Sequence, residues 1–378
     1  MNSSSATEAV PPGTNGNRIG PILDLARWAP SGDNTQPWRF EIVSDTHLVV
    51  HGSDTRRTVV YDLRGHASQL AIGILLEYLA IAASGWGLRT EPAYRRPSDN
   101  AHDDDEHPTF DVRFREDPSL PSDPLFPFLK NRSVNRKPLG SRPLTPTEKS
   151  SLSAQLGTRF SGYRVEWIEG WKKKAELARI LQICGKLRLT IPEAYRVHRQ
   201  VIAWKSRFSD DRIPDQALGL SPVILPLMEW IMGSWERVRF FNRFLGGTLI
   251  PRLQLDILPA LFCSAHFVLL SPVPLRSPEA YVEAGRALAR IWLGVAKLGL
   301  QFQPETTPLI FRSYHREGIP FSGYPEAPAT SGKIAGSLDR LMPGVEMDRA
   351  VFLGRVGRGE APSARSLRLP VDRLLTTG

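Results

Sequence analysis

Ala29-Pro30-Ser31-Gly32-Asp33-Asn34-Thr35-Gln36-Pro37-Trp38-Arg39-Phe40 separates two unlike patterns. Before it, residues 22–28 read as a short helix that stops at Pro30. After it, residues 38–43 alternate apolar and polar as a strand does. The quoted stretch is therefore a helix-to-strand loop. Two prolines and a glycine fix its backbone, while Trp38 and Phe40 anchor it in a core. Ser31, Asn34 and Gln36 supply hydroxyl and amide groups that such a rigid loop can offer to a ligand. A plain proline-rich turn would not need those three together.

Further along, residues 68–87 form a helical pattern apolar nearly all round, which predicts burial on several sides. Residues 110–114 alternate as a strand, and the proline-rich 118–128 reads as a connector. Thr145, Pro146 and Glu148 have the spacing of a capping box that opens a helix. Residues 163–168 are strand-like, and 171–188 and 193–208 helical. An aromatic-rich insertion spans about 190–258 and carries Trp230, Trp235, Phe240, Phe241 and Phe244. A buried strand at 262–270, a long helix at 278–298 and a last strand at 350–354 complete the pattern. The chain so divides into a tail (1–18), a first half (19–117), the connector and a second half (129–378).

The helix end 79–88 resembles 291–300, each closing on glycine and leucine. Two diverged copies of one unit would explain this, as would two buried helices that stop alike.

Composition sets limits on function. The 378 residues hold enough apolar side chains for one large or two ordinary domains, and no stretch reads as an uninterrupted span of about 18 apolar residues. The tail lacks the pattern of a secretion signal, and two cysteines, Cys184 and Cys263, make no disulfide framework, so a cytoplasmic location is expected. No metal is expected: His47 and His51 flank a strand, too far apart to chelate together, and the acidic run 103–106 reads as a solvated loop. The net charge of +9 is spread along the chain without nucleic-acid motifs, which favours a basic surface or a phosphate-bearing ligand over nucleic acid.

The opening loop resembles the signature A-P-S-x-x-N-x-Q-P-W-x-F of the nitroreductase family at every specified position. The resemblance implies an α+β fold and an FMN held between two subunits, touched by this loop from one and by an arginine-rich segment, a late helix end and a basic tail from the other. Those parts occur here after the connector. Arg132-Ser133-Val134-Asn135-Arg136 resembles the family's R-x-S-x-R with the serine displaced by one position; two guanidinium groups four residues apart suit a phosphate, and a basic connector is the alternative. The segment 297–307 resembles the stretch whose backbone N–H groups reach the flavin ring, with Thr306 and Thr307 in that place. The tail at 365–370 resembles the closing R-x-P, matching Arg368 and more loosely Arg365.

The implied cofactor contacts are thus Pro30, Ser31, Gly32, Asn34, Gln36, Arg132, Ser133, Arg136, Thr306, Thr307, Arg365 and Arg368. One complete set is present, with the loop in one half and its complement in the other. That arrangement resembles the tandem-repeat, Acg-like subgroup, in which the family dimer is internal, and 213–219 resembles its lid. The resemblance implies an FMN-dependent oxidoreductase with NAD(P)H as co-substrate. It would act on a flat small molecule without a catalytic side chain, with no nucleic-acid or membrane partner, as a monomer or a homodimer. A flavin-sequestering protein, or a flavin oxidase or dehydrogenase of a biosynthetic pathway, are the alternatives. The aromatic insertion would stack over the flavin as a lid, or form a structural arm.

Overall fold

The computed structural model describes residues 18–95 and 106–376; the expected tail and most of the acidic loop lie outside the described residues. Helix α1 (Ile19–Ala26) precedes the loop. Then come β1 (Trp38–Ser44), β2 (His47–Gly52), α2 (His66–Ser84), β3 (Leu88–Arg95) and β4 (Thr109–Glu116). After the connector follow α3 (Pro146–Ala154), β5 (Arg164–Ile168), α4 (Trp171–Thr190), α5 (Pro192–Val201) and three two-residue strands, β6 (Ile202–Ala203), β7 (Phe208–Ser209) and β8 (Ile213–Pro214). Four helices, α6 (Leu225–Met232), α7 (Trp235–Phe244), α8 (Leu249–Arg252) and α9 (Leu258–Leu261), make an arm, with a π-helical turn at Leu253–Ile257. The chain then forms β9 (Ala265–Leu270), α10 (Pro278–Lys297), β10 (Gln301–Pro304), α11 (Thr307–Glu317), α12 (Ala327–Leu341), β11 (Ala350–Gly357) and β12 (Arg365–Ser366).

The fold is mixed α+β, with antiparallel sheets flanked by helices. One sheet runs β1-β2-β4-β3 and the other β5-β9-β11-β10; every pair is antiparallel, and in each the long helix, α2 or α10, lies between the second and third strands in sequence. These two helices pack against each other at the centre. A buried ion-pair network ties them: Glu77 on α2 accepts from Arg286 Nε at 3.0 Å and Arg290 Nη1 at 2.9 Å. Removing one partner of such a network leaves a buried charge uncompensated, at a cost of about 3–5 kcal/mol.

Helix α2 meets the length and hydropathy of a membrane span, contrary to the expectation that no stretch does. Its all-round apolar surface is instead met by protein, since 83% of its most apolar window is buried. The capping box forms as expected, with Thr145 Oγ1 accepting from Glu148 N at 3.1 Å and Glu148 Oε2 from Thr145 N at 2.7 Å. The helix expected over 193–208 ends instead at Val201, because Ile202 turns to extended backbone and pairs with Ile213. His47 and His51 have separate partners, Asp111 and Glu41. Cys184 and Cys263 are buried free thiols.

The tail crosses back to the first half. Phe40 N donates to Leu374 O and Thr376 N to Phe40 O, both at 2.8 Å, so the tail extends along the edge of β1.

Candidate functional site

The loop takes a shape that its polar residues make possible. Asp33, Asn34 and Gln36 have φ of 50°, 64° and 49°, left-handed values that Asn and Asp tolerate better than most residues. Ser31 Oγ accepts from Gln36 N at 2.9 Å and closes the loop on itself. Asn34 Nδ2 donates to Asp210 O at 3.0 Å and Leu367 O at 3.3 Å. Gln36 Nε2 donates to Asp210 O at 2.8 Å, and its Oε1 accepts from Leu369 N at 2.9 Å.

This loop forms one wall of a cavity of about 410 Å³ that also takes in Arg132, Ser133, Arg136, Thr306, Thr307, Arg365 and Arg368. Eleven of the twelve expected contacts therefore meet in one space, brought there from both sides of the connector. The exception is Gln36. Its side chain is 1% exposed and turned into the tail and the segment before β8, where it fastens the loop rather than facing the cavity.

At one end three guanidinium groups gather. Arg132 donates from Nε to Tyr78 Oη at 3.1 Å and lies 4.8 Å above the Trp292 ring. Arg365 lies 4.8 Å above the Trp28 ring, and Arg368 Nε donates to Ala29 O at 2.9 Å. Their hydrogen bonds go to carbonyls and a phenol, and among the described residues none of the three forms an ion pair with a carboxylate. Burial, followed by the charge of Arg132, pushes Arg368 well below the ordinary arginine range; the same causes lower Arg365. Because a guanidinium keeps its proton in proteins, that field is a standing penalty which a bound anion would relieve.

Arg136 does not join this cluster. Within 132–136, Val134 bridges to Phe302 and Asn135 N donates to Phe302 O, so the segment runs beside β10 and does not form a helix that would bring residues four apart onto one face. Arg136 instead donates to Ala217 O at 3.0 Å, and Asp33 is the charge that favours it against burial. The two arginines thus line the same cavity with different partners.

Thr306 caps α11 and Thr307 opens it, so both lie where a helix leaves its first N–H groups without intrahelical partners. The carboxylate of Glu305, just before them, is held by two cations: His266 Nδ1 at 2.7 Å and Arg355 Nε at 3.1 Å.

The far wall comes from the arm and the strands before it, through Trp204, Met228, Met232 and Leu255. The insertion thus borders the cavity, but not through the expected aromatics. Trp230, Phe240 and Phe244 are each more than half exposed, and none lines the cavity. Helix periodicity places Met228 and Met232, four apart, on the inward face and leaves Trp230 outside. Sequence reasoning also missed Arg188, Tyr61 and His198, whose ring accepts from or donates to Tyr61 Oη at 3.1 Å. They come from helices and loops that carry no motif, and only the closure of the fold brings them together. No family model and no curated protein matches this chain.

Proposed function

We propose that the cavity binds FMN and that the protein is an FMN-dependent oxidoreductase of the nitroreductase type, built as two diverged copies that form an internal pseudo-dimer. The observation that carries the reading is the cluster of Arg132, Arg365 and Arg368: two buried cations and a half-buried one, unpaired with any described carboxylate, beside the loop at 29–36. A phosphate is the chemistry such a cluster accepts. The first turn of α11, at another part of the same wall, offers N–H donors and a positive helix end to an electron-rich ring. The volume lies in the range of small-molecule sites.

The two-copy reading is supported by the matched strand order of the sheets and by the crossing of α2 and α10. Gly73 meets Gly285, Leu70 meets Gly285 and Gly73 meets Val282, pairs related by one offset of 212 residues, and the same offset relates the helix ends 79–88 and 291–300. With flavin bound, NAD(P)H would reduce the ring and leave, and a flat acceptor would then take the electrons at the same face. This chain's residues bind the phosphate, fix the ring and exclude water.

The test is mass spectrometry of the ligand released on denaturation, with flavin absorbance against protein concentration. One FMN per chain is expected, retained on dilution. No flavin, or a ratio near two, rejects the reading. A second reading, flavin sequestration without turnover, is favoured by the arm that walls the far side. Anaerobic mixing with NADPH separates the two, since a sequestering protein would bleach very slowly.

A further inference from the structure

The arm's inner face is closed: Ile231, Met232 and Val238 pack with Tyr195 in a small core. Its outer face carries apolar and charged side chains that no described residue covers. Trp230 on α6, Phe240 and Phe244 four apart on α7, and Leu249 and Leu253 at the same spacing through α8 are 45–64% exposed. With Val223, Leu245 and Ile250, also exposed, this amounts to on the order of 1,000 Å² of apolar side chain, judged from the 150–250 Å² that one aromatic presents. Monomeric proteins rarely show a patch above about 600 Å².

We propose that this face of the arm is the contact between two copies of the chain in solution. Three features choose a second copy. The area reaches the roughly 800 Å² per partner of a stable protein interface. The segment 223–262 contains four arginines and no lysine, the composition of protein interfaces rather than of a surface steered to lipid. Two of those arginines lie against exposed rings, Arg237 at 4.5 Å from Trp230 and Arg243 at 5.3 Å from Phe244. The patch also mixes signs: Glu236 stands beside exposed Arg237 and Arg239. A two-fold axis would set such a surface against itself with opposite charges facing, whereas anionic lipid would repel the glutamate. Because the opposite side of α6 lines the cavity with Met228 and Met232, pairing would also hold the arm over the site.

Light scattering on the eluting full-length protein, at roughly micromolar concentrations, tests this. A mass of twice 42.2 kDa is expected. The double variant Phe240→Asp/Phe244→Asp should return the single-chain mass with an unchanged circular dichroism spectrum. Val273→Asp, at an exposed apolar residue outside the arm, should stay dimeric. If the double variant unfolds, Leu249→Arg serves in its place. A wild-type mass of 42.2 kDa throughout, a dimer that survives the arm substitutions, or a single chain that floats with phosphatidylserine vesicles would overturn the proposal.

Discussion

Gly73 and Gly285 face each other where α2 crosses α10: a Cβ on Gly73 would overlap the carbonyl oxygen of Val282, and one on Gly285 that of Leu70. The helices touch backbone to backbone, and only glycine permits it. Gly→Ala at either position should lower stability by about 1–3 kcal/mol, even though alanine gains about 1 kcal/mol in helix propensity. Urea unfolding midpoints measure this, and an unchanged midpoint in either variant would show that the crossing is looser than described.

Arg132 and Arg136, alike in sequence, should behave differently. Arg132→Ala should weaken FMN binding about ten- to a hundredfold, the worth of a charge-assisted phosphate contact, and leave riboflavin affinity nearly unchanged. Arg136→Ala should cost FMN much less. Fluorescence titrations with both flavins decide it, and equal losses for the two variants would sink the assignment of the cationic end.

Replacing Gln36 by alanine tests the fastening role. Leu369 N would lose its partner, at about 1–3 kcal/mol for a polar group left unsatisfied, while Asp210 O would keep the bond from Asn34 Nδ2. The expected result is a lower melting temperature and early proteolysis within the tail. A variant as protease-resistant as the wild type would contradict it.

His266 gives the fold a pH dependence. Burial opposes its charge, but Glu305 and Cys263 outweigh burial and raise its pKa to about 10. The folded chain therefore keeps a proton that the unfolded chain releases near pH 6.5. This stabilisation is complete below about pH 6.5 and is lost as pH rises toward 10, by up to about 1.4 kcal/mol per unit. Unfolding midpoints across that window should fall more steeply for the wild type than for His266→Gln, and parallel curves would refute the coupling.

What the sequence made legible is what local chemistry decides. The loop at 29–40, the capping box at Thr145 and the apolar surface of α2 are written in neighbouring residues, and each forms where expected. Strand β3 was not legible, since apart from buried Leu88 and half-buried Tyr94 its alternation is carried by small, charged and proline residues. Nor was the orientation of Gln36, which follows from a left-handed backbone, or the parting of Arg132 from Arg136, which follows from an edge pairing with Phe302. The arm divides its aromatics: Trp235 and Phe241 pack on the small core around Tyr195, as aromatic residues announce, while the tertiary fold turns Trp230, Phe240 and Phe244 outward.

The bond from Arg368 to Ala29 joins residues 339 apart in sequence. During translation the loop leaves the ribosome long before two of the three guanidinium groups beside it, Arg365 and Arg368, are made. At roughly 5–20 residues per second the loop waits on the order of tens of seconds for its partners. A nascent chain without Arg365 and Arg368 would lack two of the three cations of the proposed phosphate site, so capture of a ligand there would become a late checkpoint of synthesis, open only once the tail has been read.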